Sequence, residues 1–143
     1  MDRRGFQHWL DGYVEAWKTY DRDKIRALFS DDAVYRYSPE EAEGTMGRDA
    51  IADDWLSNKD EPNTYEAIYA PLAIEGDTFV ANGITRYFKP DGSQRDQYYN
   101  VYICRFNDAG ECTDFTEYWM QKNEYRKAAR DELVRKAKAG VIE

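Results

Sequence analysis

The chain has 143 residues and a mass of 16.8 kDa, enough for one domain with a substantial core. Apolar residues at 42% and charged residues at 34%, with 9 Gly and 4 Pro, exclude collagen-like, low-complexity and wholly disordered chains. Twenty basic residues against 28 acidic ones leave a net charge of -8, which repels phosphate backbones and, with no local basic patch, argues against a nucleic-acid partner.

Phe6, Trp9, Leu10, Tyr13, Ala16, Trp17 and Tyr20 recur at helical spacing, so an amphipathic helix opens the chain with no apolar signal core ahead of it. Asp21-Arg22-Asp23 offers a turn and N-cap for a short second helix through Ile25, Leu28 and Phe29. Ser30-Asp31-Asp32 is read as the turn that closes it, Val34 to Tyr37 as a short strand, and the Gly44 to Gly47 segment as a loop. A third helix is expected from Arg48 to Asn58. From Asn63 on the period changes to two. Strands at about 64–75, 78–88, 95–106 and 112–122 are joined by short, turn-rich connections and form an antiparallel meander. Residues 124–139 read as a charged helix with Asp131–Arg135 and Glu132–Lys136 as i,i+4 pairs. The layout is α+β, one domain over 1–143 with 123–143 as a helical extension. No apolar stretch approaches the ~20 residues that cross a bilayer, so no membrane partner and a cytoplasmic location are expected.

Hairpin register decides which side chains share a face. If Phe106 faces Glu111, then Tyr102 sits beside Phe115, Asn100 beside Glu117 and Tyr98 beside Trp119. If Lys89 faces Gln94, then Gly83 faces Asn100 and Thr85 faces Tyr98; Tyr69 joins this row if Ala73 faces Phe79. One face then carries Ala81, Thr85, Tyr98, Asn100, Tyr102, Cys104, Phe115, Glu117 and Trp119, an aromatic cavity floor with two polar groups at its middle. The other carries Tyr99, Val101, Ile103, Tyr118 and Met120, an apolar patch that predicts a homodimer unless the last helix covers it. Cys104 and Cys112 fall on opposite faces in this register, so two diverging free thiols are expected.

The run Phe29-Ser30-Asp31-Asp32-Ala33-Val34, then Gly47-Arg48-Asp49-Ala50-Ile51, then a meander, resembles the SnoaL-like branch of the nuclear transport factor 2-like superfamily. So does the ending Arg105 to Cys112 followed by Phe115-Thr116-Glu117-Tyr118-Trp119-Met120, the likeness covering roughly residues 6 to 122. The resemblance implies a cone-shaped roll, three N-terminal helices packed on a strongly curved, mainly antiparallel sheet with a cavity at its open end, to which a C-terminal helix is added. Members include ketosteroid isomerases, polyketide cyclases, scytalone dehydratase and limonene epoxide hydrolase. The isomerase's oxyanion-binding tyrosine matches Tyr13, and its apolar pocket positions match Phe115 and Trp119. Its general-base aspartate falls on Tyr37 or Ser38, and its second oxyanion donor on Tyr102, which argues against isomerisation by that mechanism. The dehydratase's histidines are not supplied by His8, the one histidine, and the hydrolase's Asp-Arg-Asp arrangement is not apparent.

Glu117 is the leading catalytic candidate, because a carboxyl on an aromatic floor is desolvated and its pKa moves toward neutrality. The bland alternative is a carboxylate held ionised by Arg86 or Arg105, or one at a wet pocket rim. Tyr13, Tyr37 and Tyr102 are candidates to stabilise developing negative charge or grip a polar ligand group. Trp55, Tyr98, Asn100, Tyr102, Phe115 and Trp119 are expected to bind the ligand. His8 is expected to be exposed. No metal spacing, phosphate loop or nucleophile motif is present, so no cofactor is expected. Two functions follow: a cofactor-independent proton-transfer enzyme of lyase or isomerase type acting on a small apolar or aromatic molecule, or a non-catalytic ligand-binding or dimerisation module.

Overall fold

The computed structural model describes residues 1–140. Helix α1 (Arg3–Thr19) starts where the Asp2 carboxylate accepts from the Gly5 N–H at 2.8 Å and stops at Tyr20, whose left-handed backbone turns the chain. Of its expected stripe, Phe6, Trp9, Leu10, Tyr13 and Ala16 are buried and Trp17 and Tyr20 half-buried, whereas His8 is exposed. Helix α2 (Arg22–Ala27) is capped by Asp21, which accepts from the N–H groups of Asp23 and Lys24.

Strand β1 (Phe29–Arg36) includes Ser30-Asp31-Asp32, which is therefore not a turn. Phe29 pairs in parallel with Cys112, the Cys112 N–H donates to the Leu28 carbonyl at 2.8 Å, and an irregularity between Phe29 and Val34 takes up the slack. A partner more than eighty residues away overrides the local turn propensity. Asp31 faces water and bridges to Arg48 at 2.9 Å. Likewise, Thr45–Met46 inside the expected loop forms a two-residue strand, β2, antiparallel to Val34 and Tyr35. Helix α3 (Arg48–Ser57) buries Ile51, Ala52 and Trp55.

The meander follows its expected bounds closely: β3 (Tyr65–Glu75), β4 (Thr78–Phe88), β5 (Gln94–Phe106) and β6 (Cys112–Gln121). The sheet order is β2-β1-β6-β5-β4-β3, all antiparallel except β1 with β6. Both sheet edges are interrupted. β2 is two residues long, and β3 carries Pro71 followed by an irregularity at Leu72. Along β3 the Arg3 guanidinium donates to the Pro71 carbonyl at 2.7 Å and Gln7 to the Tyr69 carbonyl at 3.2 Å, so α1 lies against this edge.

Beyond the turn the β4–β5 register is as expected, with Gly83 opposite Asn100 and Thr85 opposite Tyr98, although Phe88 rather than Lys89 pairs with Gln94 and an irregularity makes up the difference. Tyr69 stands opposite Gly83, although Ala73 pairs with Val80 because of the Leu72 bulge. The last hairpin differs from expectation. Phe106 pairs with Cys112, a further irregularity follows, and beyond it Tyr102 faces Glu117, Asn100 faces Trp119 and Tyr98 faces Gln121. The net slip beyond the irregularity is two residues, so the side chains from Asp114 onward keep their expected faces. The same irregularity brings the two cysteines together in the core rather than apart. Both are free and fully buried, and the Cys104 thiol is pushed up by burial and by the Cys112 thiol beside it.

Helix α4 (Asn123–Lys138) has no buried residue and meets the sheet along β5, where Gln94 donates to the Tyr125 hydroxyl at 2.9 Å. It does not cover the outer face. Its expected i,i+4 pairs give way to a Glu132–Arg135 pair at 2.6 Å, in which the guanidinium fork grips one carboxylate through two nitrogens.

Candidate functional site

Inward-facing residues of the meander, α1, α3 and the end of β1 enclose a cavity of about 600 Å³ that opens at the wide end of the roll. Eight of the chain's 12 tyrosines line it. Tyr13, Tyr37, Trp55, Tyr98, Asn100, Tyr102, Glu117 and Trp119, all expected at the site, are brought together there. Phe115 is not. It is fully buried behind the cavity, stacked on Tyr35 at 4.5 Å and on Tyr13 at 5.5 Å, because β6 tucks it under α1 and leaves the tyrosines to form the wall. Trp119, 55% exposed, stands at the mouth edge-on to Tyr98.

Glu117 lies half-buried on this wall. Burial pushes its carboxyl up to about 7, against smaller opposing effects of the Tyr102 hydroxyl and the Asn100 amide. Neither arginine of the bland alternative reaches it. Arg86 pairs with Glu66 at 3.4 Å, and Arg105 lies exposed on the outer-facing row of β5. Asn100 and Glu117 are diagonal rather than side by side, and the Asn100 amide donates to Glu117 Oε2 at 3.5 Å.

A chain of donors ends at this carboxylate. Thr85 Oγ1 donates its one hydrogen to Asn100 Oδ1 at 3.0 Å, so the Tyr69 hydroxyl, 2.6 Å from Thr85 Oγ1, is the donor in that contact. Donation therefore runs Tyr69, Thr85, Asn100, Glu117. A second pair, Tyr13 and Tyr35, share a hydrogen bond of 2.7 Å deep in the cavity. Burial and the nearby Glu117 charge push the hydroxyls of Tyr13, Tyr35, Tyr37, Tyr69, Tyr87 and Tyr102 up, so all remain protonated donors at neutral pH. At the rim, Arg95 bridges to Asp96 at 3.6 Å and lies 5.3 Å over the Tyr87 ring. No cluster of three or more metal-ligating side chains occurs among the described residues.

Several lining residues fall outside the expected set. Tyr35, Tyr87 and Asp96 share strand parity with Tyr37, Thr85 and Tyr98, so alternation along β1, β4 and β5 points to them. Asn58 and Asp60 come from the irregular connection after α3, which has no period to read.

Residues 10–115 match the family model for the SnoaL-like domain. The chain belongs to the SnoaL-like family. That places this SnoaL-like protein in the nuclear transport factor 2-like superfamily, and solved structures share its fold. An NTF2-like protein of unknown function from Burkholderia xenovorans is similar at 19% identity and a TM-score of 0.62, over 83% of this chain and 85% of that one. An epoxide hydrolase of the LEH-like type from Mycobacterium tuberculosis is similar at 14% identity and a TM-score of 0.60, over 82% and 84%. A further NTF2-like protein of unknown function, from Cytophaga hutchinsonii, is similar at 16% identity and 0.57, over 80% and 98%. No curated protein sequence matches the chain.

Proposed function

We propose that this SnoaL-like protein binds a small, largely apolar or aromatic molecule in its cavity and moves a proton on it without a cofactor, as a lyase or isomerase does. One observation carries the reading: a half-buried carboxyl raised to about 7 on an aromatic wall, with no cationic side chain against it. Near neutral pH such a group is present in both protonation states, so Glu117 serves as acid in one and base in the other. Tyr13 and Tyr37 hold the ligand's polar end, while Trp55, Tyr98 and Trp119 wall its apolar body. Asn100 and Tyr102 orient the carboxyl. The likeness to an epoxide hydrolase supports the fold alone.

The outer sheet face supports a second element of the reading, a homodimer of copies packed through Ile68, Tyr99, Tyr118 and Met120, which stand exposed around a shallow groove. Two reduced buried thiols suit a cytoplasmic protein.

A thermal-shift screen of small aromatic molecules against the wild type and Glu117→Gln tests the ligand reading. Ligands that stabilise the wild type are expected to be turned over by it and bound without turnover by the variant. Turnover that survives Glu117→Gln removes Glu117 as the proton carrier.

A further inference from the structure

Resting on the ligand-binding reading above, we infer that the cavity selects an organic cation, a small amine whose ammonium group meets Glu117 inside a box of tyrosine and tryptophan faces. The hydrogen-bond direction in the wall is the first argument. Tyr69, Thr85 and Asn100 donate in sequence toward Glu117, and the Tyr102 hydroxyl lies against the same carboxyl. Their donors are engaged with one another and with the carboxyl, and among the described residues no cationic side chain reaches Glu117. What this wall lacks is a donor carrying positive charge, not an acceptor.

Charge is the second argument. Three carboxylates line the cavity, Asp60, Asp96 and Glu117, against one cation, Arg95, which is occupied with Asp96 at the rim. The groups that face Glu117 from the packed elements are Tyr13 of α1, Tyr35 and Tyr37 at the end of β1, Tyr69 of β3, Tyr87 of β4 and Tyr102 of β5, all neutral at physiological pH. An anionic ligand would meet this carboxylate with nothing to balance it. An ammonium restores balance beside a carboxyl that burial desolvates.

The aromatic faces are the third argument, because two of them already hold cations. Arg95 lies over the Tyr87 ring at 5.3 Å, and Lys59 Nζ over the Tyr20 ring at 5.7 Å, and both rings line the cavity. The same ring electrostatics act deeper in, at Tyr13 and Trp55. A cationic ligand also favours the ionised form of Glu117, so its arrival draws the proton off the carboxyl and readies the base for the molecule it acts on.

Calorimetric titration with three probes of similar size, 2-phenylethylammonium, 2-phenylethanol and 3-phenylpropanoate, tests this, at about pH 8, where an alkylammonium is charged, and at about pH 5.5, where Glu117 is protonated. The ammonium is expected to bind at least tenfold or so more tightly than the alcohol at the higher pH, with the carboxylate weakest. That preference is expected to shrink at the lower pH and to vanish in Glu117→Gln, and Trp119→Ala at the exposed mouth is expected to weaken the ammonium a few-fold. Alcohol or carboxylate binding as tightly as the ammonium overturns the cation assignment and leaves the small-molecule cavity standing. Ammonium binding unchanged by both substitutions lies elsewhere on the protein and also overturns it. Failure of all three probes to bind overturns the cavity reading and this inference together.

Discussion

At the scale of single residues, the carboxyl of Glu117 is where the fold works against itself. A free glutamate loses its proton near 4.5, whereas this one holds it to about 7. Between those values the folded chain binds a proton that the unfolded chain has released, so stability falls as pH rises through that window and stays lower above it. Below about 4.5 both states are protonated and Glu117 contributes no such loss. With water at the cavity mouth moderating the effect, the loss at about pH 8 is of order 1–2 kcal/mol. Glu117→Gln is therefore expected to be more stable than the wild type at that pH and nearly equal to it at about pH 4.5, as measured by urea denaturation across the range. Two parallel pH–stability curves contradict the desolvated carboxyl. Which residues flank Glu117 was only half legible beforehand. Asn100, Tyr98 and Trp119 follow from strand parity, but the choice of the diagonal over the direct neighbour depends on an irregularity after Cys112 that no local residue pattern announces.

Among the elements, the hinge of the site is the crossing of β3 and β4 at Gly83. A Cβ there would overlap the Ile68 carbonyl oxygen and the Tyr69 ring, so the absence of a side chain is what lets Tyr69 lie across β4 and reach Thr85. Gly83→Ala is expected to cost about 1–3 kcal/mol and to displace the Tyr69 ring, which a denaturant midpoint and the ring's NMR shifts report. Full stability with unmoved ring signals contradicts the close approach. The hairpins show what a sequence reveals and what it hides. A two-residue period and turn-rich connections locate all four long strands within a residue or so, and parity survives a slip of two. Parallel pairing does not survive the same reasoning. The stretch Ser30 to Asp32 carries local turn chemistry, and only the distant β6 makes it a strand.

Taken whole, the molecule presents two faces of different character. The inner face is closed by α1 and α3 over the aromatic core, while the outer face leaves Ile68 69% exposed and Tyr99, Tyr118 and Met120 about half so, with α4 standing clear of them. Light scattering is expected to report a dimer, and Tyr118→Lys combined with Met120→Lys to shift it to monomer with the fold intact by circular dichroism. A wild type that is monodisperse at monomer mass contradicts the proposed pairing. Alternation along the strands is sufficient to foresee this face, whereas whether α4 covers it is not, since a largely charged helix carries no apolar stripe that names its partner.

The interrupted borders of the sheet bear on how far such association runs. With Pro71 and its neighbouring kink on one rim, Arg3 and Gln7 occupying carbonyls there, and a strand of two residues on the other, a newcomer finds no continuous row of backbone groups to zip onto. In the proposed dimer, growth is thereby confined to stacking broad side against broad side, which would close on itself after two copies. A chain with sticky aromatics across its back can in this way stay finite in a crowded cell, where an unguarded rim would invite open-ended fibres.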